Sequence, residues 1–340
     1  MYLIESRRNG EWIYDAGTAM ALQDYVKDHI FLDDDIMFPY MIQPTVQIGK
    51  FQNAYEEVNL PYMDEHGIKV VRRETGGGAI YLDDCNMSFS FLFNGSTDIY
   101  GNFERLYVPA IKALKKLGVE GVEQKGRNDL VLEGKKVSGA AMTIVQDRIY
   151  AGFSLLLDPN YEAMVSVLNP NQKKIESHGI KSVRSRVGSI RPYLAPEHAH
   201  VSVWDFTDHM ICQLLEIEAI SEAKRYELTP EDWAHVDKIA AEKYNNWDWN
   251  YGRFQQFEVQ LTERFPIGTI SVGLKVEHAK VASIRITGDF FGTKDIKEVE
   301  EALIGTRLKK EEIFEALAPL DLSNYFGSLS KEAFVSFLLS

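Results

Sequence analysis

RRETGGGAIYLDDCNMSFSF, running from Arg72 to Phe91, places two arginines before three consecutive glycines, Gly76, Gly77 and Gly78, and follows them with an alternating segment. Glycine weakens a sheet, so a triple run marks a place where backbone must come close to another group. Arginines beside it suggest that the group is anionic, because amide N–H groups and guanidinium forks both suit phosphate or carboxylate. A flexible turn with solvated arginines fits the glycines as well, since an isolated glycine motif is a weak signal. A second stretch bears on the choice: GRNDLVLEGKKVSGAAM, from Gly126 to Met142.

Outward from the glycines, the pattern is one of strands and separate helices. Ile68 to Val71 is a short apolar strand leading to Arg72, and TVQIGKF from Thr45 to Phe51 is a strand running into a loop. Met1 to Ile4 reads as a strand, and Asp15 to Ile30 as an amphipathic helix with Ala19, Leu22, Val26 and Ile30 at helical spacing. Ala79 to Tyr81 and Asn86 to Phe93 follow as strands, the second with Met87, Phe89 and Phe91 on one face and Ser88 and Ser90 on the other. Tyr107 to Leu117 is a helix whose Pro109 must sit in the first turn or make a kink, and Gly118 is a fitting stop. Asn128 to Leu132, Lys135 to Met142 and Ile149 to Leu157 are further strands. This mixture argues for an α+β layer rather than a regular parallel repeat.

Asn169 to Arg191 is a basic island in an acidic chain, with Lys173, Lys174, Lys181, Arg184, Arg186 and Arg191 against Glu176, and reads as a long loop. Helices follow at Asp208–Glu218 and from Thr229 to about Tyr244, the second with Thr229 as cap and Pro230 in the first helical position. The polar and aromatic stretch NNWDWNYG, Asn245 to Gly252, looks like a junction. Beyond it, strands are expected at Phe257–Thr262, Thr269–Val276 and Val281–Ile286, with helices at Lys294–Ile304, Lys310–Leu317 and Lys331–Leu339.

Composition narrows the classes. With 340 residues, two domains are expected, and 45% hydrophobic against 26% charged residues is the profile of a globular protein with a real core. A net charge of −13 argues against a general nucleic-acid binder and against a polybasic membrane-surface protein. Two cysteines, Cys85 and Cys212, supply no disulfide framework and fit a reducing compartment. Without a signal-like N-terminus or an apolar run of about 18 residues, the expected location is the cytoplasm.

The candidate chemistry lies in the first 200 residues. No Lys-Ser or Lys-Thr follows the glycines, so the Walker pattern is absent, and a strand rather than a helix follows Gly78. The eight histidines show no metal spacing. Lys136 is the candidate working lysine: period-2 geometry sends Lys135 and Lys136 to opposite faces, and Ser138, Gly139, Ala140 and Ala141 leave room around an inward ammonium. Two ordinary surface lysines at a hairpin end is the competing reading.

The two stretches together resemble the lipoate–protein ligases, whose pattern runs RRxSGGGAVxHDxGNxxFSF, then GRNDLxxxGKKxSGxA, then a KSVRSRV loop. Here KSVRSRV stands at Lys181–Val187, IGKFQN at Ile48–Asn53 is similar to the family's IGRxQN, and WDWNYG with ITGDFFG (Ile286–Gly292) resembles its small accessory domain. The resemblance implies a large mixed-sheet catalytic domain of the biotin/lipoyl ligase type at residues 1–246 and a small α+β accessory domain at 247–340. It implies that lipoate and ATP form lipoyl-AMP, whose acyl group passes to a lysine of a lipoyl domain, in a dehydrogenase E2 subunit or a glycine-cleavage H protein. By position, Arg73, Thr75, Gly76, Gly77, Gly78, Ala79, Ile80 and Tyr81 would contact nucleotide and activated carboxylate. Lys136 would touch both the lipoate carboxylate and the α-phosphate, with Ser138, Gly139 and Ala141 beside it. Asn128 and Asp129 would lie near the phosphates, Asp129 as a Mg²⁺ ligand, and Arg184 and Arg186 would close over the adenylate. The Asn86–Phe93 strand and Gly139–Ala141 would line a tunnel for the acyl chain, worth about 0.8 kcal/mol per buried methylene.

Departures from the family pattern are Thr75 for Ser, Leu82 for His, Cys85 for Gly, Ile149-Tyr150-Ala151-Gly152-Phe153 for HHGT, and Ser189 for Asn. Leu82, Ala151 and Phe153 are expected near the acyl pocket, where they bear on the choice between lipoate and octanoate. An ATP-independent carrier-to-carrier acyltransferase would need a cysteine thiolate placed after the lysine strand. Cys85 precedes that strand and Cys212 lies well beyond it. A non-catalytic lipoate or adenylate sensor and a biotin ligase are the remaining rivals.

Overall fold

The computed structural model describes residues 1–95, 100–168, 186–251, 259–278 and 280–339. The chain forms two compact units. One comprises Met1–Val46, Val58–Val71 and Tyr81–Asn246, the other Gln47–Glu57, Arg72–Ile80 and Trp247–Ser340.

The first unit is built on a seven-stranded mixed sheet. Its order is Tyr2–Leu3, Ile36–Tyr40, Met87–Phe93, Arg148–Leu155, Lys135–Val145, Asp129–Leu132 and Val122–Lys125. Tyr2–Leu3 runs parallel to its neighbour and the other pairs are antiparallel. The Ile36–Tyr40 strand had no sequence signal. It holds Pro39 and is buried throughout, so alternation is missing.

Alternation does separate the two faces of Met87–Phe93, although both are buried. Phe89 and Phe91 pack with Phe153 at centroid distances of 5.4 and 5.9 Å. With Ala151, Met142 and Tyr107 they form the main core, beneath the helices Glu104–Lys116 and Val203–Leu215. The phenylalanine face is therefore part of the core, and Ala151 and Phe153 lie on that face too. On the opposite face, Ser90 and Tyr150 both donate to Gln23 Oε1 of the Ala16–His29 helix, which is capped by Asp15 accepting from Thr18 N.

The Glu104–Lys116 helix starts earlier than periodicity indicated, so Pro109 falls in its second turn rather than its first. Pro230–Ile239 begins as expected, with a capping box in which Thr229 and Asp232 satisfy each other's backbone N–H. A π-helical turn, Ala240–Tyr244, continues it.

In the second unit, Val259–Phe265, Gly268–Glu277 and Lys280–Gly288 form an antiparallel sheet. Lys297–Leu303, Lys310–Ala316, Ser323–Phe326 and Lys331–Leu338 are among its helices. Phe51, from the early part of the chain, is 1% exposed in this unit's core and stacks on Phe290 at 4.8 Å. Residues 257 and 258, where the first of these strands was expected to start, lie outside the described residues.

Candidate active site

The glycine bend belongs to the second unit, and arginine organises it. Arg72 is 1% exposed. Its Nη1 donates to the carbonyls of Gly49, Lys50 and Gln52, its Nη2 to Asn250 O and its Nε to Trp249 O. Its own amide donates to Asn250 Oδ1, and Trp249 Nε1 donates to its carbonyl. A guanidinium spread over five carbonyls fixes loop geometry that has no ladder of its own. Arg73 performs the same service one residue on. Its Nη2 donates to Gly76 O and Gly78 O, both at 2.8 Å, its Nη1 to Gln47 O and its Nε to Thr75 Oγ1.

The three glycines are not equivalent. A Cβ on Gly76 would lie 2.4 Å from Phe290 O. One on Gly77, where φ is +94°, would meet the Phe291 ring at 2.8 Å and Arg73 Nη2 at 3.0 Å. Nothing lies within 4 Å of such an atom on Gly78. The close approach inferred from the run is thus partly to the protein's own Phe290–Phe291 segment, and only Gly78 faces open space. Thr75 is buried, while Ala79 and Ile80 are half-buried.

In the first unit the lysine strand, Lys135–Val145, carries a β-bulge. Asp129 pairs with Gly139 and Leu130 with Ser138, but Val131 pairs with Lys136, so Val137 is an extra residue. In a regular strand Lys136 and Gly139, three apart, would face opposite ways. The bulge puts them on one side with Asp129. Lys136 Nζ lies 2.7 Å from Asp129 Oδ1, with the two side chains 35% and 36% exposed. The ammonium is therefore half-exposed and paired rather than buried, while Lys135 is exposed. Gly188 N donates to Lys136 O at 2.8 Å and holds the backbone from the other side.

The neighbouring candidates divide by face. Ala141 and Gly139 share the half-buried face with Lys136. Ser138 is fully buried on the other, its Oγ 3.4 Å from the Tyr107 hydroxyl. Tyr107 donates to Asn128 O, and Asn128 Nδ2 donates to Ala140 O at 2.6 Å, so the asparagine ties its strand to the lysine strand. Burial, then Asp83, raises the Tyr81 phenol far above its ordinary value, and it stays a neutral donor. Arg186 is exposed; Arg184, with most of the basic loop, lies outside the described residues. Arg72, which the sequence pairs with Arg73 as suited to an anion, holds backbone carbonyls instead. The Val137 bulge leaves no signal in the sequence.

Neither cysteine is activated. Partial desolvation, then Asp83 and Asp84, push the Cys85 thiol up, and burial, then Asp208, does the same for Cys212. A thiolate acyl-transfer mechanism lacks its nucleophile here. Asp83, Asp84 and Cys85 are near enough together to hold a cation, but Asp83 already accepts from Cys85 N, Asn86 Nδ2 and Asn160 N.

The mixed sheet thus presents a paired lysine and aspartate near the start of two neighbouring strands. Residues 15–215 match the family described as Lipoyl protein ligase A/B catalytic domain, and residues 255–338 match Bacterial lipoate protein ligase C-terminus. The chain is 53% identical to Lipoate–protein ligase 2 of Staphylococcus aureus over 340 residues, covering 100% of both. It is also 53% identical to Lipoate–protein ligase of Streptococcus pyogenes over 332 residues, covering 98% of each. Among solved structures, P. falciparum LipL1 in complex with lipoate shares the fold, with a TM-score of 0.74 at 17% identity over 100% of this chain and 98% of that one. The chain belongs to the lipoate–protein ligase family, and it is an enzyme of the ligase class.

Proposed function

We propose that this chain activates free lipoate with ATP and transfers the lipoyl group to a lysine of a lipoyl domain. In the first step a lipoate carboxylate oxygen bonds to the α-phosphorus and pyrophosphate leaves. In the second the neutral amine of the acceptor lysine attacks the acyl carbon, AMP departs with the bonding pair, and the amine's proton passes to solvent. The first step brings two anions together, so the protein must supply fixed positive charge in a site that excludes water.

The observation that carries the reading is Lys136. It lies on a sheet face lined by small residues, its backbone is held on both sides, and its ammonium is directed by one carboxylate. In that role it contacts the lipoate carboxylate and the α-phosphate. Gly78, whose α-carbon faces open space, offers backbone to the nucleotide, and Arg73 keeps the bend in shape from behind. Thr75, Gly76 and Gly77 support that bend, and Ala79, Ile80 and Tyr81 continue from it. Asn128, Ser138, Gly139 and Ala141 shape the lysine's strand, and Arg184 and Arg186 belong to the loop that closes over the adenylate.

Mg²⁺ fits the same arrangement. This ion takes one or two carboxylates and completes its shell with phosphates and water, and Asp129 supplies the carboxylate. When bound, the ion neutralises phosphate charge. Residues 1–246 would perform the chemistry and 247–340 would act as the accessory domain. The acceptors are lipoyl domains of 2-oxoacid dehydrogenase E2 subunits or the glycine-cleavage H protein, and the compartment is the cytoplasm.

The test is the mass of a purified lipoyl domain incubated with the enzyme while lipoate, ATP or Mg²⁺ is omitted in turn, and with octanoate replacing lipoate. A lipoyl mass increment that needs both lipoate and ATP supports the reading. Binding of lipoate with no modification of any acceptor would overturn it in favour of a sensor.

A further inference from the structure

Gly139 stands directly opposite Asp129, and three positions after Lys136 on the same side of the bulged strand. A Cβ built there would lie 3.0 Å from both Cε and Nζ of Lys136 and 4.0 Å from Asp129 Oδ1. The bare α-carbon is thus the bed on which the end of the lysine lies while its ammonium reaches the carboxylate. The two devices need each other. Without the extra residue at Val137, Lys136 would turn to the face of Ala140 and Met142, which is core. With a side chain at 139, the end of the lysine on the correct face would have to give way by a few tenths of an ångström.

From this geometry we infer that Gly139 is a positioning residue that acts through Lys136, setting where the ammonium sits by leaving it room. The inference rests on Lys136 serving the adenylation step. Its structural half, the place of the lysine, stands independently of that reading. The colliding atoms are the far end of a flexible side chain, so substitution at 139 displaces the lysine rather than the sheet. The backbone there carries no left-handed φ, and strands favour Val and are less averse to Ala than to Gly.

Two measurements on the full chain test this. In the first, the ligand-free protein is acetylated to low extent with an acetylating reagent, and modification of Lys136 relative to Lys135 is read by peptide mass spectrometry. Releasing a half-exposed ion pair raises that ratio about two- to fivefold. Gly139→Val should show the full rise, and Gly139→Ala a smaller one. An unchanged ratio in both variants overturns the inference, whatever the enzyme does. In the second, Gly139→Val should lose lipoate-dependent pyrophosphate release by at least about tenfold in kcat, the scale of a misplaced catalytic group. Its melting temperature should stay within about 2 °C of the wild type. Full activity with a displaced lysine also overturns it. Failure of the proposed function is a separate outcome: Lys136→Ala would then release pyrophosphate normally, while the acetylation ratio still reported the lysine's place.

Discussion

Arg72 and Arg73 are neighbours of the same type with different duties. Arg72 is buried and holds backbone carbonyls, so Arg72→Met orphans five acceptors at once. At about 1–3 kcal/mol for each buried group left unsatisfied, partly relieved by relaxation, a loss of about 3 kcal/mol or more is expected in urea unfolding. Lys136 gives the opposite signature. Lys136→Ala should remove about 3–4 kcal/mol of transition-state stabilisation, some hundredfold or more in pyrophosphate release, with the melting curve unmoved. Lys135→Ala, whose side chain is exposed on the other face, should keep most activity. The glycines divide likewise. Gly76→Ala must displace the Phe290 carbonyl and should lower stability by about 1–3 kcal/mol. Gly78→Ala meets nothing, so stability should change by under about 0.5 kcal/mol while ATP binding weakens, as read by calorimetry.

Among elements, the Pro230–Ile239 helix shows how much a local signal can carry. Thr229 and Pro230 announced its start, and the capping box is there. What they did not announce is that Asp232 also accepts from Tyr25 of the Ala16–His29 helix at 2.5 Å. Burial pushes the Asp232 carboxyl up, but the bonds from Tyr25 and Thr229 outweigh it, and its pKa falls below the ordinary 3.8. A lowered carboxyl pKa contributes stability that is whole above the ordinary value and is lost as pH falls through the folded one. Tyr25 has the reverse sign: burial, then Asp232, push its phenol up to about 12 from 10, so its share is whole below pH 10 and lost as pH rises towards 12. Asp232→Asn should therefore cost about 1 kcal/mol near neutrality and flatten both limbs of the stability–pH curve, measured by chemical unfolding across the range. The Val137 bulge is an element of the opposite kind. Its consequence, the face that Lys136 takes, depends on the register of the next strand.

On the scale of the whole molecule, chain order and compactness divide the protein differently. Residues 247–340 fold as one unit with Gln47–Glu57 and Arg72–Ile80. Phe51 is sealed by Phe290, and Arg72 by Trp249 and Asn250. A chain ending at Asn246 strips both of their partners. It should precipitate or melt at least about 10 °C below the full protein, as judged by gel filtration and thermal unfolding. No helix among the described residues is long and apolar enough to cross a membrane.

The sequence by itself was enough for the α+β class, for most helices and for the alternating strands, because periodicity, caps and motif spacing are local. It was also enough for the family, since the motifs occur in order along the chain. Only the tertiary structure decided that Arg72 is a buried strut, that two of the three glycines answer to the protein's own phenylalanines, and that Phe153 belongs to the core. It alone put Lys136 on the side of Asp129 rather than in the core. Each of these depends on what an adjacent strand or a distant segment brings within a few ångströms, and covalent order does not encode that distance.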